Sequence, residues 1–307
     1  MADPVTAGAP TAGPPPPPER MRGSFARVSP RRIIKGTLYT VAVLLFCILA
    51  VAPFLVMGIT TFQSDKDLYR RDANPFDYAE APTLEHLDNL FNDTNYVVFI
   101  RNSMVVGAAV VVITLLLALP AAYSLARLTG RWGERAGILM FIVYLVPPTL
   151  LFIPLFRIIV ALGLSNSLLS LIVVYPTITV PFSAWLLMGF FKSIPPEAEE
   201  AALCDGYHPY GAFLRVALPL ARPGIISVIV FSFTLTLHEF IYALVFITRS
   251  EWRTLSVGVP SELILGDVFF WQPLLASALI IAIPVGLVYN LFLDRLIQGF
   301  TVGAVKG

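Results

Sequence analysis

Residues 199–220 read EEAALCDGYHPYGAFLRVALPL, and they lie between two long apolar runs. Just ahead, Ser193-Ile194-Pro195-Pro196-Glu197 supplies a hydroxyl that can cap a helix and prolines that a first helical turn tolerates. Glu197, Glu199 and Glu200 then fall near the positive end of the helix dipole. Ala198, Ala201 and Ala202 keep one face small, so another surface can approach closely. Asp205-Gly206 is placed as a C-terminal stop. A second short helix is expected from near Pro209, with Phe213 and Val216 three apart on one face, ending at Leu218-Pro219. No residue here has a catalytic pattern. A helix resting on anionic headgroups is rich in Lys and Arg, whereas this one is acidic. The loop 192–221 therefore reads as a rigid hairpin that docks into another protein.

The surroundings are membrane protein. Of 307 residues, 57% are hydrophobic and 13% charged, against about a quarter charged in a soluble domain. Mean hydropathy is +0.77. Apolar runs at roughly 34–62, 98–123, 136–160, 167–191, 222–247 and 271–293 are each long enough for a hydrocarbon core that takes about 20 helical residues. They lack the alternation of a transmembrane barrel. The fold class is all-α and polytopic, with six transmembrane helices and the hairpin between the fourth and fifth. Prolines inside several runs, among them Pro53, Pro120, Pro154, Pro181 and Pro284, kink helices and free carbonyls that need partners. This points to a bundle around a pathway, against the plainer fact that proline is common in membrane helices.

Most of the 21 basic residues fall on one side: Arg20, Arg22, Arg27, Arg31, Arg32 and Lys35, then Arg127, Arg131 and Arg135, then Lys192, Arg215 and Arg222. The positive-inside rule makes that side cytoplasmic, and with it both termini and the hairpin. The first outer loop, about 63–96, is acidic and short, which suits a lid or docking rim. Residues 1–30, with five consecutive prolines at 14–18, read as a disordered cytoplasmic tail, and residues 31–307 as the six-span domain. The first run is too long for a cleaved signal peptide. A net charge of +1 gives no argument for a nucleic-acid partner. Cys47 and Cys204 should lie at different depths, as small packing residues without a disulfide.

Glu200-Ala201-Ala202, Gly206, Val216 and Leu218-Pro219 stand at the spacing of the EAA motif of ABC importer permeases, which this stretch resembles. Val216 replaces the usual Ile. The ending Gly299-Phe300-Thr301-Val302-Gly303-Ala304-Val305-Lys306-Gly307 resembles the tail of carbohydrate permeases of the maltose and trehalose type, with Phe300 for the usual Leu. The likeness covers about residues 34–307.

That resemblance implies a coupling helix, with Glu197, Glu200 to Gly206 (Asp205 included), Val216, Leu218 and Pro219 forming or supporting an ATPase-docking surface. Glu200 would meet a basic group there. Thr301, Gly303 and Lys306 would reach toward the ATPase dimer. The chain has no phosphate loop of the G-x-x-x-x-G-K-[ST] pattern, so it is not read as an enzyme and carries no cofactor of its own. ATP and Mg would be bound by a partner. The implied partners are a second permease subunit of a different chain, two copies of a cytoplasmic ATPase and an extracytoplasmic sugar-binding protein, together with the lipid of the prokaryotic cell membrane that holds the permease. The substrate implied is a disaccharide or short oligosaccharide, the alternative a glycerol phosphate ester or polyol. An ion-coupled secondary transporter is the rival class; it would call for internal repeats and several intramembrane charges, and a partner-recruiting scaffold is a third.

His238 and Glu239 lie in the fifth run. An intramembrane charge usually faces a cavity or a partner. Zinc chemistry of the H-E-x-x-H kind fails, because Tyr242 stands at the fifth position. Glu239 either binds a neighbouring helix or lines the passage. His238 could contact a sugar, though a satisfied buried histidine is the plainer expectation. Tyr175, Trp185 and Tyr242 are aromatic candidates for the path, against ordinary packing or belt roles. Arg101-Asn102-Ser103 is expected only to start and anchor the second span.

Overall fold

A computed structural model describes residues 30–70, 74, 76 and 78–304, with side chains of those between 34 and 293. The expected tail, apart from Pro30, lies outside the described residues, as does Lys306. The chain divides into two compact units, one ending at Ala52 and one starting at Pro53. Helix α1 (Pro30–Thr61), up to Ala52, makes up the described residues of the first.

In the second unit, short helices α2 (Asp65–Leu68) and α3 (Glu85–Asn92) precede α4 (Tyr96–Tyr123), which ends in a π-helical turn at Ser124–Leu128. Then come α5 (Gly130–Tyr144), α6 (Pro148–Ala161), α7 (Leu168–Val174), α8 (Pro176–Ser193) and α9 (Pro196–Cys204). Helix α10 (Pro209–Ala212) runs through a second π-helical turn, Phe213–Ala217, into α11 (Leu218–Leu220). Helices α12 (Arg222–His238), α13 (Ile241–Phe246) and α14 (Leu255–Leu263) follow. A two-stranded ladder, β1 (Ile264–Leu265) and β2 (Val268–Phe269), leads into α15 (Trp271–Ala304).

Four stretches are long and apolar enough to cross a membrane: Ile34–Thr61, Tyr96–Leu128, Leu168–Ser193 and Trp271–Leu293. Two bent pairs raise the number to six if each is one span: α5 with α6, at 90°, and Pro209–Leu220 with α12, at 72°. The chain is an all-α polytopic membrane protein. Two expected runs differ from straight spans. The run 136–160 is two helices, because Pro147-Pro148 disfavours helix in the residues before it and then suits the first turn of α6. The run 222–247 stops at His238, where Glu239 turns extended (φ −68°, ψ 125°).

Helices α4, α8 and α12 form the centre. Thr114 of α4 and Thr179 of α8 share a buried hydroxyl contact of 2.6 Å, the kind of polar pairing that joins helices where no water competes. Near α9, fully buried Ala118, Ala122, Ala184, Ala217 and Ala221 surround Leu187 and Phe191 and let the backbones approach. A second cluster gathers Tyr175, Tyr242 and Phe246 with Val106 and Val110. A third ties Leu90, Tyr96 and Phe99 to Leu263 and Ala276. There Gly258 lies against Phe99 so closely that a Cβ would meet the ring at 2.5 Å.

Candidate functional site

The α9 hairpin forms largely as its local sequence dictates, with two differences. Ser193 does not cap α9; its hydroxyl donates to the Phe190 carbonyl at 2.7 Å and closes α8. The second helix also continues past Leu218-Pro219 to Leu220 before the bend. Pro196 takes the first position of α9, and Glu197 and Glu199 the first turn. Gly206 adopts φ +88°, a left-handed conformation that favours glycine. The amide of Tyr207 donates to Ala202 O at 3.0 Å and that of Gly206 to Leu203 O at 3.1 Å, satisfying the last carbonyls. Glu197, Glu200, Ala201, Asp205 and Gly206 are exposed, as are Leu203, Tyr207, Tyr210 and Cys204. Ala202 is buried, and Val216, Leu218 and Pro219 are half-buried behind them. Cys204 and Cys47 are both free and exposed rather than packed.

Glu199 turns the other way. Its Oε1 accepts from Arg127 Nε at 2.8 Å and its Oε2 from the Tyr123 hydroxyl at 2.7 Å. Arg127 Nη2 also donates to Ile194 O at 2.7 Å. The Tyr123 ring packs on Phe191 and Phe213 at centroid distances of 5.5 and 4.6 Å. Arg127 counted in the sequence only as an orientation signal.

Seventeen residues of α12 rise about 25 Å at 1.5 Å per residue, so Glu239 lies toward the opposite end. It binds neighbouring segments. Its carboxylate accepts from Tyr242 N at 3.0 Å, Ala243 N at 3.2 Å and the Tyr175 hydroxyl at 2.8 Å. Its carbonyl accepts from Ser256 Oγ at 2.6 Å. Tyr242 donates its hydroxyl to Pro148 O at 2.8 Å. Tyr175 and Tyr242 are fully buried. His238, expected to be buried, is exposed and bonded to Thr234 O at 3.2 Å. Trp185 is half-buried in a file of rings: it meets Phe141 at 4.5 Å and Phe182 at 5.9 Å, and Phe182 meets Phe231 at 4.3 Å.

Asn102 and Ser103 do more than start a span. Asn102 is fully buried and its Nδ2 donates to the carbonyls of Glu251 and Arg253, both at 3.0 Å. Ser103 Oγ accepts from Leu255 N at 2.8 Å. Asn166, at φ 56°, latches the preceding loop by accepting from the amides of Thr248 and Arg249. Part of the acidic loop that follows α1 is used internally. Asp67 is buried and accepts from the amides of Ala79 and Glu80 at 3.0 and 3.2 Å. Burial alone would raise its carboxyl, but those amides and Arg70 outweigh burial and hold it below its ordinary range. Glu80 is lowered by Lys66, 2.8 Å away, and Lys66 is raised in turn. Among the described residues no group of His, Cys, Asp and Glu could hold a metal ion.

Residues 114–302 match the family described as binding-protein-dependent transport system inner membrane component. The sulfoquinovosyl glycerol transport system permease protein SmoH of Agrobacterium fabrum is 35% identical over 75% of this chain and 80% of its own length. The diacetylchitobiose uptake system permease protein DasC of Streptomyces coelicolor is 31% identical over 93% of this chain and 99% of its own. In fold, the chain is similar to a crystallised bacterial ABC transporter involved in the import of the acidic polysaccharide alginate. The TM-score is 0.75 at 19% identity, covering 87% of this chain and 98% of that one.

Proposed function

The chain belongs to the family of binding-protein-dependent transport system inner membrane components, as a permease of the carbohydrate-importing ABC type, and from this we propose how it works. It forms half of a translocation pathway, and α9 is the helix through which a cytoplasmic ATPase drives alternating access. The observation that carries the reading is the outward face of α9. Glu197, Glu200, Ala201, Asp205 and Gly206 are exposed on a rigidly stopped helix, with Leu203 and Tyr207 as exposed apolar neighbours. Acids in a first helical turn with small residues beside them suit a cleft that offers a basic group. In this reading Val216, Leu218 and Pro219 back the docking surface.

The remaining parts follow from the family. Residues 31–307 form the permease domain and 192–221 its cytoplasmic loop, with both termini cytoplasmic. The helix α15 carries Thr301 and Gly303 toward the ATPase dimer, and Lys306 beyond them. A second permease chain, two ATPase copies binding ATP and Mg, and an extracytoplasmic binding protein resting on the outer loop complete the assembly. The substrate is a disaccharide or short oligosaccharide, in line with the relative named for diacetylchitobiose. A glycerol-linked substrate is the second reading, favoured by the relative named for sulfoquinovosyl glycerol.

The test is copurification from native membranes with an ATP turnover assay, comparing the parent chain with Glu200→Ala and Gly206→Pro. An ATPase subunit that accompanies the parent and is lost or uncoupled in the variants is expected. Variants that hold and drive the ATPase like the parent would remove α9 from the docking role.

A further inference from the structure

Helix α9 is tied to its neighbours along the chain by segments that change direction. Ile194 and Pro195, extended at ψ 126° and 130°, link it to α8. On the other side the chain bends by 72° before α12. Bends of this kind absorb a displacement. One contact bypasses both: Glu199 joins α9 directly to the end of α4, 72 positions away in the chain. The Glu199 and Arg127 side chains are 10% and 15% exposed, so water does little to weaken their attraction. The hydroxyl of Tyr123 and the carbonyl of Ile194 complete their hydrogen bonding. Arg127 sits in one π-helical turn and Phe213, packed on Tyr123, opens the other. Such turns are rare and occur often at functional sites.

We propose that the Arg127–Glu199 pair, backed by Tyr123, is the strut that carries a displacement of α9 into α4. The three are positioning residues. The inference rests on the reading of α9 as the ATPase-docking helix. Division of labour on α9 supports it: Glu197 and Glu200 face outward while Glu199 faces the spans. Beyond the strut, α4 meets α8 through Thr114 and Thr179. It meets α12 where Gly107 admits Phe233, whose ring would lie 2.8 Å from an added Cβ. A pushed α4 therefore takes the central helices with it.

Hydrogen–deuterium exchange of the whole assembly, purified from native membranes, tests this without a known sugar. Exchange is followed in α9 and in α4, with and without ATP and vanadate, for the parent chain, Glu199→Gln, Arg127→Gln and Tyr123→Phe. In the parent, nucleotide should alter both helices. In the two Gln variants α9 should still respond, while the response of α4 falls at least about fivefold, the low end of typical coupling between sites. Tyr123→Phe keeps the ring packing and should fall in between; it decides the matter if the Gln variants do not assemble. A full α4 response in any assembled Gln variant, or in Tyr123→Phe where those fail, overturns the strut and leaves docking intact. No nucleotide response of α9 in the parent overturns the docking reading, and the strut with it.

Discussion

The hydroxyl of Tyr175, at the junction of α7 and α8, donates to Glu239 Oε2 at 2.8 Å, where the chain leaves α12. The same carboxylate holds the amides of Tyr242 and Ala243 at the start of α13. One side chain thereby satisfies a backbone break in a place where unpaired polar groups are costly. A buried donor left unpaired costs about 1–3 kcal/mol. Glu239→Ala removes the acceptor for all three donors and should lower the unfolding temperature in detergent sharply, with Glu239→Gln in between. Equal unfolding of the parent and Glu239→Gln would mean that the carboxylate is not what holds the break.

Asn102 sends both of its Nδ2 hydrogens to the carbonyls of Glu251 and Arg253. Asn102→Asp keeps the shape but sets an acceptor against two acceptors, so it should destabilise more than Asn102→Ala does. Protease cleavage within 248–255 would be the readout, faster in Asp than in Ala. The reverse order would show that volume rather than hydrogen bonding fixes this segment.

Gly258 admits the Phe99 ring where a Cβ would lie 2.5 Å away. Overpacking of this kind costs about 1–3 kcal/mol. Gly258→Ala should be destabilising alone and much less so in a Phe99→Ala background, since contacting residues do not add independently. Thermal unfolding of the four proteins measures this; strict additivity would contradict the contact.

The loop that follows α1 should open with acid. Asp67 and Glu80 have carboxyls held below their ordinary range, so their contribution is present above the unfolded carboxylate range and is lost as pH falls through the lowered values. Lys66 is raised, so its share is present at neutral pH and lost only in strong alkali. Protection of the amides of residues 64–70 and 78–80, their exchange relative to the intrinsic rate at each pH, should therefore stay level from mildly acidic to mildly alkaline pH. It should fall below the carboxylate range, and less so in Asp67→Asn, which has already lost the effect. Protection that falls near neutrality would point to a different titrating group.

The hairpin at 192–221 is legible in the sequence because its signals are local: prolines at the start, acids in the first turn, glycine at the stop. The break at Glu239 is not. His238 and Phe240 flank it, no proline or glycine marks it, and the helix stops where Tyr175 and Ser256 arrive from distant parts of the chain. Arg127 is likewise one of several arginines until the fold brings it to Glu199. Ser193 reads as the cap of α9, and the extended Ile194-Pro195 leaves it at the end of α8 instead. The spans themselves are plain from hydropathy, but their bends depend on which carbonyls find partners.

The right-angled pair α5 and α6 also bears on how the protein is made. The two helices have 15 and 14 residues, each short of the roughly 20 that a spanning helix takes. Neither half reaches across a hydrocarbon core alone as a helix, so either the two serve together as one bent span or they turn back within the membrane. The corner at Pro147-Pro148 is also held from α13, where Tyr242 donates its hydroxyl to the Pro148 carbonyl. That partner lies 94 positions later in the chain, so this contact can form only once α13 has been synthesised.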